Sequence, residues 1–206
     1  MVKKAVIFDL GGVVLESPLH AIARFESDRG IPEGFLNRVV RETGNEGPWA
    51  RLERGELDRA SFFTLFDEAC SARGHLLPTA DVMEAIAESS SPRPVMVEAL
   101  RQLRRHGLIT AALTNNWAHD GRDRHQLRPL FDHFIESSVV GIRKPDPAIY
   151  ELTFEQIGVE PQDTVFLDDI GGNLKPARAM GVATIKVDEA EQAIEDLEGV
   201  LGLALR

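Results

Sequence analysis

Two short apolar runs, far apart in the chain, end alike. Ala5 Val6 Ile7 Phe8 stops at Asp9 before Leu10 Gly11 Gly12, and Thr164 Val165 Phe166 Leu167 runs into Asp168 Asp169 before Ile170 Gly171 Gly172. Runs of this length bounded by turn residues read as buried strands. An acid at the end of each, before glycines that let the chain bend, sits at the carboxyl edge of a sheet, where α/β proteins hold ligands. Either acid alone could be a turn residue, since Asp and Gly are common in turns. If the two strands are neighbours, however, Asp9, Asp168 and Asp169 converge, and like charges that close cannot all stay ionised without a cation. Oxygen donors with no His or Cys nearby suggest magnesium, which bridges to substrate phosphate.

Between the first strand and about Leu108 the pattern is helical. His20 to Asp28, Glu33 to Arg41, Asp58 to Arg73 and Asp81 to Glu88 have helical spacing or composition, separated by Gly30, Pro32, Gly47 Pro48, Gly74 and Pro78. The breaker-rich stretches Ser17 Pro18 and Ser91 Pro92 Arg93 Pro94 bracket this bundle as two linkers. The expected division is a core piece 1–15, a helical insertion 16–92 and the remainder of the core 93–206. After Pro94, helix and strand alternate: helix to Arg105, strands Leu108 to Thr114 and Phe134 to Glu136, and helix Pro147 to Ile157. Strand Thr164 to Asp168, helix to Met180, strand Ala183 to Val187 and a last helix from Glu189 follow. Such alternation implies a parallel sheet covered on both faces.

With 206 residues, 43% of them hydrophobic, the chain can bury a sizeable core. A net charge of -10 without a Lys/Arg block argues against nucleic-acid binding and leaves room for a small anionic substrate. Cys70, the single cysteine, sits in a helical pattern with Phe62, Phe66 and Ala69 and reads as a packed thiol. Lys3 Lys4 and the apolar run that Asp9 interrupts are too short to target or span a membrane, so a cytoplasmic setting is expected.

The strand at Leu108 delivers Thr114 Asn115 Asn116 to the same edge, where a hydroxyl and backbone amides can hold phosphate oxygens. In Arg143 Lys144 Pro145 Asp146 Pro147 the proline after Lys144 keeps it out of a helix, as a loop cation, while Asp146 caps the helix that Pro147 starts. Pro176 is expected near a helix start, and Gly181 at that helix's end.

The ordered set Asp9, Thr114 Asn115, Lys144 and Asp168 Asp169 resembles the four motifs of the haloacid dehalogenase-like hydrolase superfamily, most of whose members are phosphatases. Gly47 Pro48 Trp49, Leu113 to Asn116 and Phe166 to Leu174 are similar to the phosphatase-like domains attached to soluble epoxide hydrolase and to acyl-CoA dehydrogenase family member 10. The resemblance implies a three-layer, Rossmann-like α/β core with a parallel sheet and an inserted helical cap domain. It implies a nucleophilic Asp9 that forms an aspartyl-phosphate, and a magnesium shell from Asp9, the Gly11 carbonyl and Asp169, with Asp168 as ligand or neighbour. Thr114 and the Asn115 amide would hold the phosphoryl group of a small phosphorylated metabolite, and Lys144 would pair with nucleophile and phosphate.

One position departs from the pattern. Phosphatases of this superfamily usually carry an acid/base aspartate two residues after the nucleophile, and here that residue is Gly11. The expectation is therefore slow or leaving-group-selective phosphate-monoester hydrolysis. The alternatives are a catalytically silent phosphometabolite-binding domain, which Gly11 favours, and a 2-haloacid dehalogenase, which Asp168 Asp169 disfavours because dehalogenation needs no magnesium. Trp49, Arg51 and Arg24 read as structural before they read as substrate contacts. His106, His119, His125 and His133 lack ligand spacing and receive no role.

Overall fold

A computed structural model describes residues 2–118 and 127–206; His119 and His125 lie outside the described residues. Five strands form one parallel sheet: β1 (Ala5–Phe8), β2 (Ile109–Thr114), β3 (His133–Glu136), β4 (Thr164–Asp168) and β5 (Ala183–Lys186), in spatial order β3-β2-β1-β4-β5. The chain first builds outward on one side of β1 and then returns to build on the other, so the direction of winding switches between β1 and β4. Open α/β sheets bind ligands at the carboxyl side of such a switch. The register Phe8↔Leu167 extends to set Asp9 beside Asp168, and Asp9 N donates to Leu167 O at 2.9 Å.

Alternation along β1 divides its side chains between two hydrophobic layers. Val6 and Phe8 join Ala112, Val165 and Leu167 under Leu100, Leu103 and Ile194, from the helices Pro94–Arg105 and Ala190–Leu201. Ala5 and Ile7 join Leu113 and Phe166 under Ile149, Tyr150 and Leu174, from the helices Pro147–Ile157 and Gly171–Ala179. Both faces are covered, which accounts for the apolar runs of β1 and β4.

The inserted cap domain is built from helices Pro18–Asp28, Phe35–Thr43, Pro48–Glu53, Arg59–Ser71 and Thr79–Ser89, around their own cluster of Ile22, Phe35, Phe62, Phe66 and Ile86. Its two connections to the core run antiparallel and bond to each other: Glu16 N donates to Ser91 O at 2.9 Å and Arg93 N to Val14 O at 2.8 Å. Cys70 is buried in the cap, and burial pushes its thiol up to about 12, as suits a packed residue rather than a nucleophile. Among the described residues no helix is long and apolar enough to cross a membrane.

Three local features refine the expectations. The helix Pro48–Glu53 falls where the sequence suggested only a break, and its six residues are too short to show a period. Asp146 does cap its helix, accepting from Ala148 N at 3.0 Å. Pro176 is not near a helix start: that helix begins at Gly171, because Asp168 Oδ1 accepts from Ile170 N at 2.8 Å and turns the chain directly after β4.

Candidate active site

Asp9, Asp168 and Asp169 meet at the carboxyl edge of the sheet, each offering an oxygen within 4.8 Å of the others. Lys144, fully buried, anchors Asp9 and Asp168 from the loop before the helix Pro147–Ile157. Its Nζ donates to Asp168 Oδ2 at 2.7 Å and to Leu113 O at 2.9 Å, and lies 3.0 Å from Asp9 Oδ1. These contacts use all three donors of the ammonium group. Burial works against the charged lysine, yet Asp168 and Asp9 outweigh it and hold its pKa above the ordinary value.

The two forward acids are different. Burial pushes Asp9 up from 3.8 to about 7, with Lys144 opposing and Asp168 and Asp169 adding to the rise. Burial and then Asp168 push Asp169 up to about 6. Three carboxylates against one ammonium leave a site short of positive charge, with a hard, oxygen-only donor set. That composition fits a divalent cation.

Asp168 is already engaged. Besides Lys144 and Ile170 N, it accepts from Asn173 Nδ2 with both oxygens at 3.1 Å, while Tyr150 donates its hydroxyl proton to Asn173 O at 2.6 Å. Asp9 Oδ1 accepts from Leu10 N at 2.7 Å, and Oδ2 has no hydrogen-bond partner among the described residues. Asp169 lies against Gly12, whose φ of 79° and closeness to that carboxylate leave no room for a Cβ.

Asn115 acts as a clamp: Nδ2 donates to Lys144 O at 2.9 Å and Oδ1 accepts from Lys144 N at 2.8 Å. Thr114, at the end of β2, is buried beside it. Asn116 ties the same loop to the end of β3, its Nδ2 donating to Glu136 and its N to Ser137 Oγ at 2.8 Å. Thus Asp9, Gly11, Thr114, Asn115, Lys144, Asp168 and Asp169 come together from four separate segments.

A cavity of about 420 Å³ opens from these groups toward the cap. Asp9, Gly11, Thr114, Asn115 and Asp169 form its floor, and Leu15, Leu36, Val40, Ile86, Trp49 and Trp117 much of its wall. Trp49 both packs and faces the cavity, its ring 5.9 Å from Trp117 and its Nε1 donating to Glu53 Oε1 at 3.1 Å. Arg51 instead pairs with Glu56 at 3.5 Å, and Arg24 lines a separate surface groove. His106 and His133 lie toward the amino edge of the sheet. Glu53 and Arg143, which the sequence did not single out, meet across the cavity wall at 2.6 Å. Burial raises the Glu53 pKa, with Arg143 opposing.

The haloacid dehalogenase-like hydrolase family model matches residues 3–181, and the chain belongs to that family. It is 37% identical to mouse acyl-CoA dehydrogenase family member 10 across 98% of this chain and 19% of that protein. It is also 37% identical to pig bifunctional epoxide hydrolase 2 across 100% of this chain and 40% of that one. The chain thus spans less than half the length of these two relatives. A sesquiterpene phosphatase of Aspergillus oryzae is 27% identical, with 97% of each chain covered. Among solved structures, a Bacteroides thetaiotaomicron family enzyme in complex with magnesium and inorganic phosphate has a TM-score of 0.62 at 22% identity, covering 91% of this chain and 96% of that one. The chain is accordingly a haloacid dehalogenase-like hydrolase with phosphatase homologues.

Proposed function

We propose that the protein is a magnesium-dependent phosphatase that transfers the phosphoryl group of a small monoester to Asp9 and then to water. The observation that carries this reading is the Asp9 carboxylate, fixed through one oxygen by Leu10 N and Lys144 and set at the floor of an apolar cavity. In the first step Asp9 Oδ2 attacks phosphorus as the ester P–O bond breaks, and the leaving oxygen departs with the bonding electron pair and takes its proton from solvent water, since Gly11 supplies none. In the second, water attacks the same phosphorus as the acyl P–O bond breaks, one of its protons passes to solvent and the other leaves with hydrogen phosphate, and the carboxylate is regenerated.

The remaining residues hold and position. The Thr114 hydroxyl and the Asn115 backbone amide cradle the phosphoryl oxygens, and the Asn115 side chain keeps Lys144 in register. Lys144 contributes fixed positive charge beside the nucleophile. Asp9, Asp169 and the Gly11 carbonyl would hold magnesium, with Asp168 supporting Lys144 rather than taking a direct share. The metal supplies neutralisation of charge on the transferred phosphoryl group. The apolar wall matches an ester with an uncharged, apolar organic group, in keeping with the sesquiterpene phosphatase among the relatives.

Magnesium and protons should compete. The folded-state pKa of Asp9, about 7, lies above its ordinary 3.8, so the ionised site is a cost that appears as pH rises toward 7. Metal-free protein is then expected to lose stability from this group across that range, and magnesium to relieve it. Apparent magnesium affinity should rise between pH 5 and 8, by about tenfold per unit for each proton displaced. Melting temperatures with magnesium and with EDTA at each pH check this. A magnesium-induced shift that is the same at pH 5 and pH 8 would count against the assigned ligands.

Phosphate release from a panel of monoesters, with magnesium or EDTA, tests the function. Metal-dependent release that is absent from Asp9→Asn is the expected result. Tight binding without release, in wild type and Asp9→Asn alike, would favour the silent binding domain suggested by Gly11.

A further inference from the structure

Besides Glu16, which pairs with Arg93, the apolar cavity wall is broken by one pair of opposite charges. Glu53 closes the helix Pro48–Glu53 in the cap, and Arg143 precedes Lys144 in the core; both line the cavity, and Arg143 Nε lies 2.6 Å from Glu53 Oε2. Arg143 is the only Lys or Arg among the described cavity-lining residues. A guanidinium facing such a cavity is a strong receptor for a carboxylate, which it can grip through two parallel hydrogen bonds. Here a protein carboxylate takes that place. Trp49 Nε1 holds the other Glu53 oxygen, so the carboxylate is oriented from the cap.

We infer that Glu53 is a specificity-determining residue: by occupying Arg143 it denies this guanidinium to a second anionic group on the substrate, so that the site selects phosphate esters whose organic part is uncharged. This rests on the phosphatase reading above. Two further observations support it. Both residues line the cavity, and the side chain of Arg143, 22% exposed against 10% for Glu53, is the less buried of the two. The contact is also imperfect: Arg143 Nε and Glu53 Oε2 approach as an ion pair but are not aligned as a hydrogen bond, and neither atom has another hydrogen-bond partner among the described residues. A ligand carboxylate offered to Arg143 without Glu53 present would meet a donor that the fold leaves unaligned. Its approach now leaves two carboxylates contesting one cation, a repulsive arrangement of the kind that sets specificity.

The test compares meta-tolyl phosphate with meta-carboxyphenyl phosphate, which differ in charge at similar size. For Glu53→Gln, which keeps the shape and removes the charge, the ratio of kcat/KM should shift by about tenfold or more toward the carboxylated ester. Adding Arg143→Gln should abolish the shift. A Glu53 that only fastened cap to core would alter both esters together and leave the ratio unchanged. An unchanged ratio in Glu53→Gln, or an equal shift in the double variant, overturns the inference. Should Glu53→Gln fail to fold, Glu53→Asp, which withdraws the carboxylate by one methylene, should move the ratio in the same direction, and an unchanged ratio there overturns it equally. If wild type hydrolyses neither ester, the phosphatase reading has failed. Calorimetric binding of both esters to Asp9→Asn, with and without Glu53→Gln, then decides the role of Glu53 separately: selective tightening for the carboxylated ester supports it, and no selective change overturns it.

Discussion

Lys144→Met should cost about 3–5 kcal/mol of stability above pH 7 in metal-free buffer, because removing one partner strands the other charges in the interior. Methionine preserves most of the aliphatic stem, so lost packing contributes little. In the wild type the ammonium group faces Asp9 Oδ1 and Asp168 Oδ2 and lowers the Asp9 pKa against burial. Without it, Asp9 should hold its proton to higher pH still. The cost belongs to the ionised acids, so it should shrink at pH 5, below the values of about 7 for Asp9 and about 6 for Asp169. Urea unfolding at pH 5 and pH 8 measures it, and an equal loss at both would mean that Lys144 matters for packing alone. Phosphate release should fall at least about a thousandfold, as when a transition-state charge stabiliser is removed.

Gly11→Asp should do the opposite to turnover. A positioned acid/base contributes about a hundredfold to ten-thousandfold, and alkyl phosphates, whose leaving oxygen needs a proton, should gain most of that. Aryl phosphates, with better leaving groups, should gain less. The backbone permits the change: Gly12, not Gly11, holds the positive φ, and a Cβ on Gly11 would sit 3.3 Å from Pro18 Cδ, which must yield by a few tenths of an ångström. Steady-state rates on matched alkyl and aryl esters read the difference. A folded variant that accelerates both classes equally, or neither, would show that proton transfer does not limit the wild type.

The parts legible in the sequence are those that local pattern controls. An apolar run stopped by an acid and two glycines marks β1 and β4 with their carboxylates, and Pro145 places Lys144 in a loop. That Lys144 is wholly buried and held by Leu113, Asp168 and Asp9 is a tertiary fact, set by Asn115, just past the end of β2, clamping its backbone. Asn173 and Tyr150 stood in plain view, yet their bearing on Asp168 depends on the helices Pro147–Ile157 and Gly171–Ala179 packing side by side. The cap was visible through its flanking breakers. Glu53 was not, since its helix is too short to announce itself and its partner Arg143 lies in the core.

The most direct measurement is to quench the reacting protein in acid and weigh it. The missing acid/base at Gly11 should slow attack of water on the phosphorylated enzyme, so an acyl-phosphate should accumulate during turnover of an aryl phosphate with magnesium present. One added phosphoryl group per chain, mapped to the peptide that contains Asp9, discharged by hydroxylamine and absent from Asp9→Asn, is the predicted result. Steady release of phosphate with an unmodified Asp9 peptide, or a phosphoryl group on any other residue, would contradict the assignment of Asp9 as nucleophile.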